Sequence, residues 1–246
     1  MNMTDTSIHP QAYKRRSVVY RKLMEFNPRY IEINDGVMVL SIDDTDAIGQ
    51  ASQQLTICDL SLIPRLGFKG VGTCHWLTQQ GVNVPEGVNC AVPSQDGCLV
   101  ARLGMEEVLL MERIRSDDPV TKTLEKTWLA QQGKKSEPMG YPLPRQDSHA
   151  CFGLAGENVS DLLAKLCAID FRPQKFKNLS IAQASIARVS SILIRNDISE
   201  TCSYLLLTDS ASAEYLWDCL IDAMQEFNGQ VVGCSNFESL ATVLTS

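Results

Sequence analysis

The chain is 246 residues long, 44% hydrophobic and 21% charged, the balance of a soluble globular protein of one large or two small domains. Its formal net charge of −7 argues against a nucleic-acid binder, which needs a basic face for the phosphate backbone. No run reaches the roughly 18 apolar residues that cross a bilayer, and the N-terminus lacks the apolar core of a secretory signal.

Nine cysteines stand at 58, 74, 90, 98, 151, 167, 202, 219 and 234, with no C-x₂-C or C-x₄-C pair among them. They predict reduced, mostly buried thiols in a cytoplasmic protein, with no metal site and no disulfide framework.

In chain order, Lys14, Arg15, Arg16, Arg21 and Lys22 surround Val18, Val19 and Tyr20. A short helix from Pro10 to Met24 is expected, its charges facing water rather than an acidic partner. Gly36 to Ile42 (GVMVLSI) reads as a strand. Asp43, Asp44 and Asp46 behind it read as a polar turn, since they lack the loop pattern and closing Glu of a calcium site. Residues 1–50 are therefore an arm with a first strand.

Residues 51–132 read as a first α+β unit. Gln54 to Asp59 is a short strand, and Gly67 to Gln80 a helix closed by Gly81. The glycines at 67, 70 and 72 give a close strand-to-helix turn and match neither the dinucleotide nor the Walker pattern. Helical spacing puts Val71, Cys74, Leu77 and Thr78 on one face and leaves His75 peripheral. Cys98 to Leu103 and Val108 to Met111 form a hairpin, and a helix runs from Pro119 to Gln132. Residues 133–148, with three prolines and two glycines, are expected to be an irregular connector.

Residues 149–246 read as a second unit. It has a strand from Ala150 to Ala155 and a helix from Glu157 to Cys167 that buries Val159, Leu162, Leu163 and Leu166. A long excursion over 168–184 precedes strands at Ile186 to Ile194 and Tyr204 to Leu207. A long helix from Ser210 to Gly229 follows, with Ala213, Leu216, Trp217, Leu220, Ile221, Met224 and Phe227 on one stripe. Asp209 or Ser210 caps its start, and Asn228-Gly229 supplies a left-handed stop. Gln230 to Cys234 closes the unit.

That order is β-α-β-β-α-β, the split plan of ferredoxin-like folds, and the first unit follows it as far as β-α-β-β-α. Gly70 followed by Leu77 repeats as Gly156 followed by Leu163 at an offset of 86. The fold class is α+β, a duplicated ferredoxin-like β-α-β-β-α-β arrangement.

Residues able to do chemistry are sparse. His9, His75 and His149 belong to no nucleophile–base motif. Arg145, Arg172, Arg188 and Arg195 gather around the second unit's strands, where they could clamp a carboxylate bidentately or pair with the surplus Asp and Glu.

The segment Leu166-Cys-Ala-Ile-Asp-Phe-Arg-Pro-Gln-Lys-Phe176 resembles the C-x-(L/I)-D-(L/F)-R-P-x-x-F stretch of sarcosine oxidase gamma subunits. Those belong to the folate-binding superfamily that includes the glycine-cleavage T-protein. The runs Ile181 to Arg188 and Ser210 to Leu220 are similar to the strand and helix that follow it. Asp59-Leu-Ser61, the turn at Gly70, Gly81 to Pro85, and Arg102-Leu-Gly104 with Glu107 and Leu109-Leu110 extend the likeness over residues 55 to 235. The resemblance implies a T-protein N-terminal-like fold.

It also implies a gamma-subunit-like accessory component of a heteromeric sarcosine-oxidase-type flavoenzyme in folate-linked one-carbon metabolism. Flavin would sit only on flavoprotein alpha/beta-type partner chains. The alternative is a stand-alone tetrahydrofolate-dependent aminomethyltransferase or methyltransferase, with Arg145 and Arg188 holding the folate carboxylates. Catalytic T-proteins carry an Asp after a Gly-Gly turn in a G-G-x-x-D-D-like segment. Here Asp96-Gly-Cys-Leu-Val-Ala-Arg102 has no carboxylate after Gly97, so a non-catalytic subunit is the favoured expectation.

Overall fold

The computed structural model describes residues 8–33, 35–42, 54–94, 97–114, 119–131, 140–235 and 237. Asp43, Asp44, Asp46 and Gln132 lie outside the described residues, as does 133–139 of the expected connector.

The first unit contains β5 (Arg65–Lys69), α2 (Thr73–Gln79), β6 (Cys90–Pro93), β7 (Leu99–Gly104), β8 (Glu107–Met111), α3 (Val120–Gln131) and β9 (Tyr141–Leu143). Its sheet runs β6-β7-β8-β5-β9. The hairpin and α3 lie where the alternation and periodicity predict. Gly67 to Lys69, expected as helix, is instead the end of β5, hydrogen-bonded to β8 on one side and β9 on the other. A helix starting at Thr73 buries Thr73, Trp76 and Leu77 and leaves Val71 and His75 exposed. β9 lies in the expected irregular connector, followed by the short α4 (Arg145–Ser148). Its Pro142 is tolerated because β9 is an edge strand with hydrogen bonds on one side.

The second unit holds β10 (His149–Ala155), α5 (Val159–Leu166), β11 (Ile181–Ile186), β12 (Val189–Arg195), β13 (Ser203–Asp209), α6 (Ala213–Met224) and β14 (Gln230–Val232). The strand expected over 186–194 is β12, which starts only at Val189, and β11 occupies the end of the excursion expected over 168–184. Ala187 and Arg188, with φ of 47° and 70°, form the hairpin turn between β11 and β12. On α6, Ala213, Leu216, Trp217, Leu220 and Met224 of the predicted stripe are buried, while Ile221 and, beyond the helix, Phe227 are half-buried. The Asp209 carboxylate accepts the Ala211 N–H at 2.8 Å. Asn228, at φ 50°, provides the left-handed stop; Gly229 does not share it.

The largest departure from the sequence reading concerns β4 (Thr56–Asp59), expected to open the first unit. It pairs antiparallel with β10 and parallel with β14, so the second sheet runs β11-β12-β13-β10-β4-β14. Without β4, each sheet has the same order of second, third, fourth, first and fifth strand of its unit, so each unit runs β-α-β-β-β-α-β with one strand more than expected, and the duplication holds. Gly70 and Gly156 adopt φ of 122° and 129°. Each donates its N–H across the sheet end, to Glu106 and to Cys202 respectively.

Period-two alternation assigns the faces. Phe152, Leu154, Tyr204 and Leu206 point toward α5 and α6, while Cys151, Ala155, Leu205 and Leu207 point the other way. In the first sheet, Val100, Val108 and Leu110 meet Trp76 and Trp128 of the helices, while Leu99, Ala101, Leu109 and Met111 face the second sheet. The layers are helices, sheet, sheet, helices, with both sheets buried on both sides. Each large apolar side chain sealed this way contributes about 1.5–3 kcal/mol. Backbone hydrogen bonds from Ala91 to Leu179 and from Ile181 to Asn89 lace the two sheets at one edge.

The N-terminal arm is only partly as expected. Instead of one helix it has β1 (Arg15–Arg16), α1 (Tyr20–Leu23), β2 (Pro28–Ile33) and β3 (Gly36–Ile42), which form a sheet of order β1-β3-β2. Val19, Leu23, Val39 and Ile42 share a core with Trp217 and Leu220. Two of the basic residues expected to face water are tethered instead: Arg15 to Asp35 and Asp147, and Lys22 to Asp218.

Candidate functional site

The two sheets do not close completely on each other. Between the strand ends lies a cavity of about 250 Å³, walled chiefly by Leu60, Ile63, Leu99, Met111, Leu205 and Phe237. Gly97, Glu112, Arg113 and Asn196 also border it. Glu112 is 6% exposed, and its carboxylate accepts the Thr121 N–H at 2.8 Å, at the start of α3. The nearby β7 positions Val100 and Ala101 are wholly buried and apolar. Such a space suits flat or apolar groups. It offers no placed carboxylate for proton transfer on β7.

A second polar locus lies where α4 meets β5 and β10. Arg145 donates to Glu107 at 2.6 Å and contacts His149 Nε2 at 3.1 Å, and Lys69 adds a 2.7 Å ion pair to the same Glu107. Burial pushes the Glu107 carboxyl up, but the hydrogen bonds and charges of Lys69 and Arg145 outweigh it and hold the group below its ordinary pKa. Beneath them the buried Arg65 donates to the carbonyls of Leu60, Ser61, Gln146 and His149.

Burial, with Arg145 and Arg65 close by, lowers the His149 pKa to about 4, against the pull of Asp209 and Glu107. His149 is therefore neutral in the fold. It accepts from Arg145 through Nε2 and donates from Nδ1 to Ser148 Oγ at 2.8 Å. Between about pH 4 and 6.5 the unfolded chain binds the proton that the folded chain refuses, so stability falls as pH drops through that window. Lowering pH from 7 to 5 should cost the wild type about 1–2 kcal/mol from this group, after allowance for solvent screening. His149→Gln should lose less by the same amount, measured by urea unfolding at both pH values.

The structure separates the arginines named from the sequence. Arg145 belongs to the α4 locus, and Arg188 is exposed on the β11–β12 turn. Neither lines the inter-sheet cavity. Arg172 pairs with Asp170 at 2.6 Å. Arg195 forms a bidentate pair with Asp197 and also donates to the Pro173 and Phe176 carbonyls. The D-F-R-P-x-x-F segment is therefore a structural clasp, with Phe171 and Phe176 packed on Tyr204. Sequence reasoning missed Arg65 and Phe237. Arg65 had only a buried-strand context as a signal, and Phe237 had none.

The family described as the GCVT N-terminal domain matches residues 94–242, more than half of the chain. The chain belongs to that family. This GCVT N-terminal-type chain is also similar in fold to a chain of the heterotetrameric sarcosine oxidase from Corynebacterium sp. U-96, solved in complex with pyrrole 2-carboxylate. The TM-score is 0.65 at 23% identity, covering 87% of this chain and 96% of that one. It is similar as well to the glycine cleavage system aminomethyltransferase T from Bartonella henselae. Here the TM-score is 0.66 at 11% identity, covering 91% of this chain and 61% of that one. Identities this low speak to the fold alone. No curated protein matches.

The GCVT fold is consistent with tetrahydrofolate, but the residues at its centre do not fit that cofactor. A drug-sized ligand takes a cavity of about 300–1,000 Å³, more than the 250 Å³ present. One wall is Phe237 from the chain itself, and the bordering Glu112 carboxylate is already engaged by α3. Among the described residues no cluster of His, Cys, Asp or Glu could hold a metal ion, and no helix is long and apolar enough to cross a membrane.

Proposed function

We propose that this chain is a gamma-subunit-like accessory component of a heteromeric sarcosine-oxidase-type flavoenzyme, working in the cytoplasm in folate-linked one-carbon metabolism. The flavins and the amine oxidation reside on flavoprotein partner chains, and this chain braces the assembly. The observation that carries the reading is the fold likeness to a chain of a heterotetrameric sarcosine oxidase, which extends over 96% of that chain. The apolar Val100 and Ala101 after Gly97 support a non-catalytic role.

The internal repeat points to one contact surface for such a partner. Val71 lies between Gly70 and Gly72 and is 61% exposed, beside Met105, which is 69% exposed on the β7–β8 turn. The two turns are stapled together by the Gly70 N–H to the Glu106 carbonyl. Arg102 holds the Met105 carbonyl at 2.9 Å and the Glu86 carbonyl at 2.7 Å, so the methionine is presented on a fixed backbone. At the position equivalent to Val71, 86 residues on, the second unit has the exposed Glu157. The fold does not require an apolar residue there, whereas a protein partner would.

Co-expression with flavoprotein alpha/beta-type subunits tests the reading. The wild type should co-purify with them in fixed ratio, and Val71→Glu should weaken that association at least tenfold while leaving the Tm of the isolated chain within about 2 °C. Failure of the wild type to co-purify, with no change in partner stability or activity, would refute the proposal.

A further inference from the structure

Toward the space between the sheets, β10 presents only small groups: Cys151, Gly153 and Ala155. Cys151 and Ala155 belong to the inter-sheet core, and alternation puts Gly153 on the same face. β7 adds Ala101 to that core. Large strand side chains such as Leu99, Leu109, Met111, Leu205 and Leu207 fill most of this layer, and the small groups leave a local gap over β10. Phe237, beyond β14, enters this gap and is 6% exposed. A methyl group built on Gly153 would lie 2.5 Å from Phe237 Cζ, 2.9 Å from its Cε2 and 2.9 Å from Leu60 Cδ1. The ring edge therefore rests on the bare backbone of β10, a seat that only glycine offers at that position.

We propose that the inter-sheet recess is an aromatic-ring site whose resident occupant is the chain's own Phe237, and that a flat apolar heterocycle can take the ring's place when it is removed. The seat is shaped for a ring rather than an aliphatic chain, because a ring approaches strand backbone edge-on where Gly153 has no side chain. The remaining 250 Å³ is walled chiefly by Leu60, Ile63, Leu99, Met111 and Leu205, with Glu112, Arg113 and Asn196 at its border, so a ring seated on Gly153 gains mainly contact area. Apolar cavities of smaller size stay dry and take up benzene, so an opened recess here has the chemistry to hold a bicyclic ring such as indole. Self-occupation also accounts for the poor fit of tetrahydrofolate, whose pteridine would have to displace the phenyl ring.

The test uses the full chain and titration calorimetry, with thermal unfolding as a second readout. Wild type should give no heat with tetrahydrofolate or with indole. Phe237→Ala should bind indole at least tenfold more tightly than wild type and gain about 3–5 °C in Tm at tenfold excess over the Kd. Phe237→Leu, which keeps the recess filled, should remain silent. Tetrahydrofolate binding to wild type would overturn the proposal, and so would a folded Phe237→Ala that takes up no indole. Should the alanine variant not fold, Phe237→Val with benzene as the probe is judged by the same criterion. Binding is read on this chain alone, so its failure leaves the partner reading standing, and failed co-purification leaves this one standing.

Discussion

Replacing Arg65 by methionine should lower the free energy of unfolding by about 3–5 kcal/mol and the Tm by roughly 10 °C. Arg65 opens β5 and is 3% exposed. Its Nη atoms donate to Leu60 at 3.1 Å, Ser61 at 3.1 Å, Gln146 at 3.3 Å and His149 at 2.8 Å. One guanidinium thus ties the β4–β5 link to α4 and the start of β10, two stretches about eighty residues apart in sequence. It also faces Asp59, 3% exposed, which takes hydrogen bonds from the Ser61 N–H at 3.1 Å and Ser61 Oγ at 2.6 Å. Burial pushes the Asp59 carboxyl up, while Ser61, Ser17 and Arg65 act against it. Methionine fills similar volume but supplies no donor, leaving several carbonyls without their partner in a dry region and removing the positive charge near Asp59. Arg65→Lys should recover only part of the loss, since one ammonium cannot span the same fork of acceptors. Urea unfolding of the three proteins measures this, and a Tm within 2 °C of wild type for Arg65→Met would refute the role.

Gly156→Ala should cost about 3–4 kcal/mol and Gly70→Ala about 1–2 kcal/mol, although the two glycines are equivalent in the repeat. Their φ values, 129° and 122°, lie in the region that favours glycine, so both substitutions strain the backbone. At Gly156 the inserted β4 adds a second constraint. A methyl group there would sit 2.5 Å from the Gln54 carbonyl oxygen and 2.7 Å from its carbon. Gln54 leads into β4, which is inserted beside β10 in the second sheet and has no counterpart in the first. The difference between the two variants therefore measures that insertion. Equal destabilisation in urea would mean that the close approach of Gln54 relaxes freely.

Most individual elements were legible in the sequence. The stripe Ala213, Leu216, Trp217, Leu220 and Met224 is set by helical spacing, and all five residues are buried. The β7–β8 hairpin follows from two alternating runs around Gly104. What failed locally failed for identifiable reasons. Gly67, Phe68 and Lys69 carry helix-compatible spacing with the residues after them, but they lie between β8 and β9, where strand pairing on both sides outweighs that pattern. Pro142 and Pro144 spoke for irregular chain, and an edge strand accommodates the first of them.

The candidate site was less legible than the fold. Arg145 and Arg188 drew notice as charges near strands, yet one is held by Glu107 and the other stands on a turn. The residues that shape the cavity are ordinary apolar ones with no spacing signature.

The sequence by itself determined most of the elements, the internal repeat at an offset of 86 and the apolar stretch after Gly97, because these are properties of spacing and residue type. Tertiary structure alone decided that β4 crosses into the second sheet, that Arg65 joins two distant stretches of chain, and that Phe237 rests on Gly153. The physical reason is that a strand's own residues fix which faces are apolar but not which backbone it pairs with. That choice depends on hydrogen bonds and packing between positions tens of residues apart, and the space left between two sheets exists only after both have formed.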